Sequence, residues 1–279
     1  MMAARKNLDT MQKNEFKPKT YGKIRNVRFP RYFFLLGILS FLTAFPCSAF
    51  SQPPDPLLQK LDSYYYYPSQ LGLKKLTAKV QWLQKDLRAA EPKFVSHPEV
   101  LFSWDAQSDA RLFQVDPLLK GLTQTQKKEI ENLFQNYREV VLPRSLSQTL
   151  SGFKFNQADK AFFKTTVEYQ SSYKHDEIQT YSLNINAEQW RISKINIARR
   201  TPPHNVVSEF KYIQREGKWL ASEILARFDL GRDSYSEKTS YLYQKIMGFW
   251  LPVKIEQVFK KGSYVVLSYR FLLSDYQIN

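Results

Sequence analysis

The side chains that most often carry catalysis are few in this chain, and their spacing matches no common catalytic pattern. Three histidines occur, His97, His175 and His204, each in a polar or proline-flanked stretch that predicts a solvated loop. A serine hydrolase needs a histidine beside an exposed nucleophile, and the sequence contains no Gly-x-Ser-x-Gly turn. The single cysteine, Cys47, lies in an N-terminal leader, which excludes thiol catalysis and a disulfide framework for the rest of the chain.

The sequence patterns of metal and nucleotide sites are also missing. There is no His-x-x-x-His pair for zinc. Asp105 and Asp109 could approach a calcium ion, but their loop lacks the Asp-x-Asp-x-Asp-Gly spacing, and a polar hairpin tip is the commoner explanation. No Walker loop or dinucleotide glycine fingerprint occurs in a chain with only nine glycines. The sequence therefore predicts a protein that is not an enzyme and that uses neither a cofactor nor a metal.

The residue types do favour the binding of apolar groups. Aromatic residues make up 15% of the chain. Six of them lie on or beside predicted strands: Trp82, Phe102, Trp104, Trp190, Trp219 and Trp250. A filled core accounts for most of this content. The alternative is a curved sheet with more apolar inner surface than its own core needs, which then packs a helix into the gap or holds an apolar ligand.

Alternating apolar and polar residues predict the strands that position these aromatics. The alternation begins at Leu76 and recurs in ten or eleven runs that end at Leu273, separated by short turns, so neighbouring strands should be antiparallel. One segment has helical period instead: Thr123 or Thr125 can cap it, it runs to Val141, and we expect the helix Thr125–Val141 to cover the sheet as a lid. This pattern indicates a mainly β (α+β) chain, and it is compatible with either a sandwich or a barrel.

The N-terminus has the pattern of a secretion signal. Arg25, Arg28 and Arg31 precede an apolar run of about 15 residues, short of the ~20 that a membrane span needs. We interpret residues 1–51 as a signal peptide cleaved after Ala49 or Ser51, with an uncleaved anchor as the alternative and Met1, Met2 and Met11 all possible starts. Residues 52–70 are then a linker with a short helix.

The positive charge is concentrated in that leader. The chain holds 41 Lys and Arg against 26 Asp and Glu, and residues 52–279 hold 32 against 24, a net charge of +8. Acidic and basic residues are interspersed there, which indicates a mixed, solvated surface. We expect no nucleic-acid partner, although a mildly positive face would suit anionic lipid head groups or an acidic protein.

The C-terminal third resembles a known family. Four segments carry the resemblance: Val206–Phe210, Trp219–Ile224, Gly248–Ile255 and Ser274–Asn279. They are similar to the outer-membrane lipoprotein-sorting proteins, the LolA-like group. The resemblance implies that residues 71–279 form a half-open antiparallel β-barrel of about 10–11 strands covered by one or more helices. It also implies an apolar cavity that takes up acyl chains.

These observations lead to one functional hypothesis and two alternatives. The hypothesis is a periplasmic, non-enzymatic carrier of the acyl chains of lipoproteins or other lipids, a monomer in a Gram-negative-type bacterium, served by inner- and outer-membrane transport components. The first alternative is an envelope protein that docks a protein partner and whose cavity is plugged by its own side chains. The second is a secreted hydrolase whose site is assembled from distant residues. The cavity-lining candidates, chosen from predicted strands, are Trp190, Ile192, Phe210, Tyr212, Trp250, Val253 and Tyr269.

Overall fold

Alternating buried and exposed side chains run along most strands of the fold. The computed structural model describes residues 55–87, 93–116, 121–135, 137–161 and 163–279. The predicted signal peptide, its cleavage positions and Cys47 lie outside these residues. In β1, for example, Leu76, Ala78, Val80 and Trp82 are buried on one face, as the alternation predicts.

Thirteen strands form one antiparallel sheet. They are β1 (Lys75–Asp86), β2 (Lys93–Ser96), β3 (Val100–Asp105), β4 (Ala110–Val115), β5 (Phe153–Ala161), β6 (Lys164–Ser171), β7 (Ile178–Asn186), β8 (Arg191–Arg199), β9 (Asn205–Arg215), β10 (Lys218–Leu230), β11 (Asp233–Ile246), β12 (Phe249–Lys261) and β13 (Tyr264–Ile278). Their order is β4-β3-β1-β13-β12-β11-β10-β9-β8-β7-β6-β5, and β2 pairs with β1. Within the described residues β4 and β5 do not pair with each other, so the sheet stays open.

The predicted fold class is confirmed, and the structure adds two strands to the eleven predicted runs. Strand β5 is exposed over nearly its whole length, so no face of it selects apolar residues and no alternation is visible in its sequence. Strand β2 has four residues, too few for a period to be recognised. The meander from β5 to β13 consists of consecutive antiparallel neighbours, as the short turns predict.

The described residues contain four α-helices, α1 (Pro56–Tyr64), α2 (Gln124–Gln135), α3 (Arg138–Val141) and α4 (Leu146–Thr149), with a short 3-10 helix at Pro68–Leu71. Asp55 caps α1 by accepting a hydrogen bond from the backbone N–H of Leu57 at 2.7 Å. The helix predicted between Thr123 and Val141 is present but divided into α2 and α3. In the described ranges, no helix combines the length and apolar character needed to cross a bilayer.

Helix α2 is fixed to the sheet by one aromatic side chain. Phe134 is almost fully buried, and its ring lies 5.6 Å from that of Trp82, 5.2 Å from that of Phe113 and 6.0 Å from that of Phe271. These three partners belong to β1, β4 and β13. Aromatic rings at these separations gain attraction beyond the burial of their area. Phe134 therefore joins α2 to the half of the sheet that contains β1 and β4.

We expect Phe134→Ala to lower the free energy of unfolding by about 3–5 kcal/mol, because it leaves a cavity among three aromatic rings. The matched control is Phe155→Ala on β5, where the side chain is 51% exposed, and there the loss should be below about 1 kcal/mol. Urea unfolding followed by tryptophan fluorescence measures both. Equal losses for the two variants would contradict the assignment of Phe134 to the core.

Candidate functional site

A cavity of about 170 Å³ lies between the inner face of the sheet and the helical segment that covers it. Its strand side is lined by aliphatic side chains of β7, β8 and β10, namely Leu183, Ile192, Ile195, Leu220 and Ile224. Its cover side is lined by α3, α4 and their connection, with Val140, Pro143, Leu146 and Leu150. The lid expected from the whole segment Thr125–Val141 is thus formed by α3 and α4, because α2 packs on β4 instead.

Tyrosines that follow α1 form one wall of the cavity. Tyr65 contacts Tyr212 of β9 edge to face, with ring centroids 5.6 Å apart and hydroxyl oxygens 3.4 Å apart. The Tyr65 hydroxyl also accepts a hydrogen bond from the backbone N–H of Ile192 at 2.7 Å. Burial raises the pKa of Tyr65, Tyr67 and Tyr212, so all three remain protonated and uncharged at neutral pH.

The next tyrosine extends the same connection across the sheet. The backbone N–H of Tyr66 donates to the carbonyl oxygen of Trp219 at 2.9 Å. The Tyr66 hydroxyl accepts from the backbone N–H of Trp250 at 2.8 Å. Residues 65 and 66 therefore contact β8, β10 and β12, and they fix the end of α1 against the sheet.

A buried carboxylate joins the cover to α1. Asp62 is 3% exposed, and it accepts hydrogen bonds from the backbone N–H groups of Leu146 at 2.8 Å and Ser147 at 3.0 Å. The Ser147 hydroxyl donates to the same carboxylate at 2.6 Å. Ser145 and Gln148 complete a capping box at this end of α4. The negative charge of Asp62 thus meets the unpaired N–H groups that begin α4.

A group of charged side chains joins the other end of the cover to the hairpin of β3 and β4. Asp109 pairs with Arg111 at 2.6 Å and with Arg144 at 2.9 Å. Burial disfavours the charge on Asp109, yet Arg111 and Arg144 hold its pKa below the ordinary value. Glu139, which lines the cavity, lies 3.6 Å from Arg144 and 3.7 Å from Arg111. Asp109 is therefore an ion-pair partner of the cover, and the described residues contain no cluster of three or more potential metal ligands.

A row of buried polar side chains crosses three central strands. Thr239 of β11 lies opposite Gln257 of β12, which lies opposite Tyr269 of β13. The Gln257 amide donates to Glu237 Oε1 at 3.0 Å and to Thr239 Oγ1 at 3.1 Å. Burial raises the pKa of Glu237 to about 8, so its carboxyl group is mostly protonated at pH 7. We call Glu237, Thr239, Gln257, Tyr269 and the neighbouring Tyr137 the polar row.

The structure brings three of the seven predicted cavity residues together. Ile192, Phe210 and Tyr212 line the cavity, each on its inner face as the strand parity predicts. Tyr269 is buried beside Trp82, with ring centroids 5.5 Å apart, and belongs to the polar row. Val253 is half-buried on β12 and is absent from the cavity lining.

The two predicted tryptophans lie at one end of the sheet, outside the cavity. Trp190 lies in the turn before β8 with φ 48°, stacked on Tyr64 at 6.0 Å, with Lys60 Nζ 3.6 Å above its ring. Trp250 donates from Nε1 to Glu216 at 3.2 Å, and the Arg215 guanidinium lies 4.8 Å from its ring. That these seven residues contact a ligand stays a prediction.

Sequence reasoning missed the cover contacts and the polar row. The run Tyr64–Tyr67 before Pro68 could have indicated a contact with the sheet, because four consecutive large aromatic side chains are expected to pack against another element. Glu237 and Gln257 gave a weaker indication of the polar row, because the sequence does not distinguish a polar residue at a buried strand position from one at an exposed position.

No family model and no curated protein matches the sequence. Among solved structures, a LolA superfamily protein from Nitrosomonas europaea aligns with a TM-score of 0.31 and 11% identity over 82% of this chain and 94% of that chain. A putative outer membrane lipoprotein-sorting protein domain from Vibrio parahaemolyticus aligns with a TM-score of 0.25 and 8% identity over 80% and 91%.

A DUF1329 family protein from Desulfovibrio piger aligns with a TM-score of 0.27 and 5% identity over 80% of this chain and 90% of that chain. Two of these three structures are named as members of the group that the sequence resembles.

We expect the stability of Glu237→Gln relative to the wild type to increase with pH. The folded-state pKa of Glu237, about 8, lies above its ordinary value of 4.5, so the folded protein keeps a proton that the unfolded chain releases between these two pH values. Wild-type stability from this group is therefore lost as pH rises through the window, and Gln cannot ionise. The difference in unfolding free energy should grow by about 4 kcal/mol between pH 5 and pH 8.

Urea unfolding of both proteins at pH 5, 6.5 and 8 measures this difference. Glu223→Gln is the control, because Lys238 and Lys211 hold the pKa of Glu223 below its ordinary value and it stays ionised in both states across the window. A difference for Glu237→Gln that stays constant with pH would show that Glu237 is not buried as described.

Asp62→Ala should lower the free energy of unfolding by about 2–4 kcal/mol, because three donors at the start of α4 lose a charged acceptor. We also expect faster tryptic cleavage after Arg144, since that bond lies directly before α4. Asp233→Ala is the control, because its carboxylate is 47% exposed in a surface ion pair with Lys261, and its loss should be below about 1 kcal/mol. Unchanged proteolysis in Asp62→Ala would contradict the role of Asp62 in holding the cover.

Proposed function

We propose that this protein is a non-enzymatic carrier that holds an acyl chain between its open sheet and its helical cover. The observation that supports the proposal is the cavity itself, with aliphatic residues on the strand side and on the cover side. Each methylene group removed from water contributes about 0.8 kcal/mol, so a cavity of this kind shields a hydrocarbon chain without covalent chemistry.

The electrostatic state of the lining supports binding over catalysis. Burial raises the pKa of Tyr65, Tyr67 and Tyr212, which therefore stay as neutral hydroxyl groups and are weak bases and weak nucleophiles. Glu139 and Arg144 line the cavity as members of the ion-pair group with Arg111 and Asp109. A secreted hydrolase has less support, because these groups are neutral or engaged with one another.

The size of the cavity implies that the cover moves. Sites for drug-sized ligands enclose about 300–1,000 Å³, and this cavity encloses about 170 Å³. The sheet is tied by continuous strand pairing, whereas the cover is held by buried apolar side chains such as Val140 and Leu150 and by polar contacts at its two ends, Asp62 with α4 and Asp109 with Arg144. We infer that α3 and α4 shift outward when the chain enters, because these contacts can exchange with water.

The proposed location is the periplasm, reached through the leader at residues 1–51. The resemblance of the C-terminal strands supports acyl chains of lipoproteins, or related lipids, as the cargo, with inner- and outer-membrane transport components as partners. A net charge of +8 on residues 52–279 suits approach to anionic lipid head groups. Delivery between two membranes would need only a cover that opens.

Native mass spectrometry of the full chain, expressed with its leader and purified from a bacterial periplasm, tests the proposal. We expect a mass excess that organic extraction identifies as acyl lipid or lipopeptide. Ile224→Trp should abolish it, because Ile224 lines the cavity and the larger side chain fills the space of the ligand.

Leu225→Trp is the matched control, on the same strand and on the opposite face, where its register partners Glu209 and Lys238 are exposed. It should retain the bound mass. If the wild type is free of ligand and takes up no added fatty-acyl probe, the carrier proposal fails. The plugged scaffold that docks a protein partner would then be the better hypothesis.

A further inference from the structure

The polar row has hydrogen-bonding capacity that the described residues do not use. Four atoms are fully buried without a partner among them: Glu237 Oε2, Gln257 Oε1, Tyr137 OH and Tyr269 OH. The side chains that carry them are between 1% and 3% exposed. A buried polar group without a partner is costly, and native interiors contain few of them. Four in one neighbourhood indicate a place that another molecule completes.

These four atoms lie close together. Gln257 is hydrogen-bonded to Glu237 and lies opposite Tyr269 in the register of β12 and β13. The rings of Tyr137 and Tyr269 are 6.5 Å apart at their centroids. Burial is the main cause of the raised pKa of Tyr269 and of Tyr137. The charge of Glu237 raises the pKa of Tyr269 further, and the charges of Tyr269 and Glu237 do the same for Tyr137.

The polar row borders the cavity. Thr239 lies opposite Ile224 in the register of β10 and β11, and Ile224 lines the cavity. Tyr241 follows Thr239 on the same face of β11 and also lines the cavity. The polar row is therefore adjacent in the sheet to residues that line the cavity.

The available donors and acceptors define the ligand. Both hydrogens of the Gln257 amide are already used, and its Oε1, a carbonyl oxygen, is an acceptor that has no donor. The hydroxyls of Tyr137 and Tyr269 can donate, and so can a protonated Glu237 at Oε2. The row thus offers up to three donors and one acceptor. An ester or amide carbonyl beside a hydroxyl or N–H group matches this set.

We propose that the polar row binds the uncharged ester or amide end of an acyl ligand whose hydrocarbon chain lies in the adjacent cavity. This inference rests on the proposed carrier function and names the chemical class of its ligand. A carboxylate head group would bring a second acidic group beside Glu237 with no cation among the five members of the row. A head group with a permanent positive charge, such as a quaternary ammonium, would offer no acceptor to the tyrosine hydroxyls.

The test measures displacement of a fluorescent fatty-acyl probe from the full-length protein at pH 7 by three ligands with the same chain. These are 1-myristoylglycerol, myristate and tetradecyltrimethylammonium. We expect the glycerol ester to bind most tightly. Tyr269→Phe and Tyr137→Phe should each weaken it about fivefold, the equivalent of one hydrogen bond of ordinary strength, and leave the other two ligands unchanged.

Tyr235→Phe is the matched control, a buried tyrosine of β11 that belongs neither to the polar row nor to the cavity lining. It should leave the preference for the ester unchanged. The melting temperatures of the ligand-free Tyr269→Phe and Tyr137→Phe variants should not fall, because each loses a hydroxyl group without a partner. A fall would show that these hydroxyls are structural and would overturn the inference.

The failure of this inference and the failure of the carrier proposal give different results. Three ligands that bind equally well, or an ester preference that survives both variants, would overturn the polar row as a head-group site while the carrier proposal stands. If none of the three ligands displaces the probe and the probe itself does not bind, the carrier proposal fails, and the inference that rests on it fails as well.

Discussion

A single sheet that does not close on itself must have its apolar face covered by something else. In this chain the edge strands β4 and β5 do not pair, and the inner face carries large side chains such as Tyr181, Leu183 and Tyr269 that are almost fully buried. Short helices provide the cover, and because α3 and α4 have four residues each and cannot match the whole inner face, a gap remains against β7–β10. The cavity is thus a consequence of covering a long curved sheet with short helices.

The helical cover is attached to the sheet by contacts of a different kind from those that join the strands to one another. Strand neighbours are joined by continuous ladders, whereas α4 is held through the carboxylate of Asp62 and its connection to α3 through the pairing of Arg144 with Asp109. Polar contacts of this kind are directional and exchange with water once they are exposed. The molecule therefore combines a continuously paired sheet with a cover that polar contacts anchor at two points.

The sequence predicts those features that depend on local pattern. Alternation identified β1 and β12 because one face of each is buried, and it placed Ile192, Phe210 and Tyr212 on the inner face. It could not place Trp190, which lies in a turn at positive φ where strand parity does not apply. It could not find the contact between Asp62 and Leu146 either, because the partners are 84 residues apart and no periodicity connects them.

The position of β1 has a consequence for the order of folding. This strand lies between β3 and β13, and its first residues pair with the last residues of β13, Leu76 with Ile278. The hairpins from β5 to β12 join neighbours in sequence and can form early, since local contacts cost little loop entropy. Strands β1, β3 and β4 cannot take their places until β13 has been synthesised. The pairing of β1 with β13 is therefore expected to be among the last steps in the folding of this sheet.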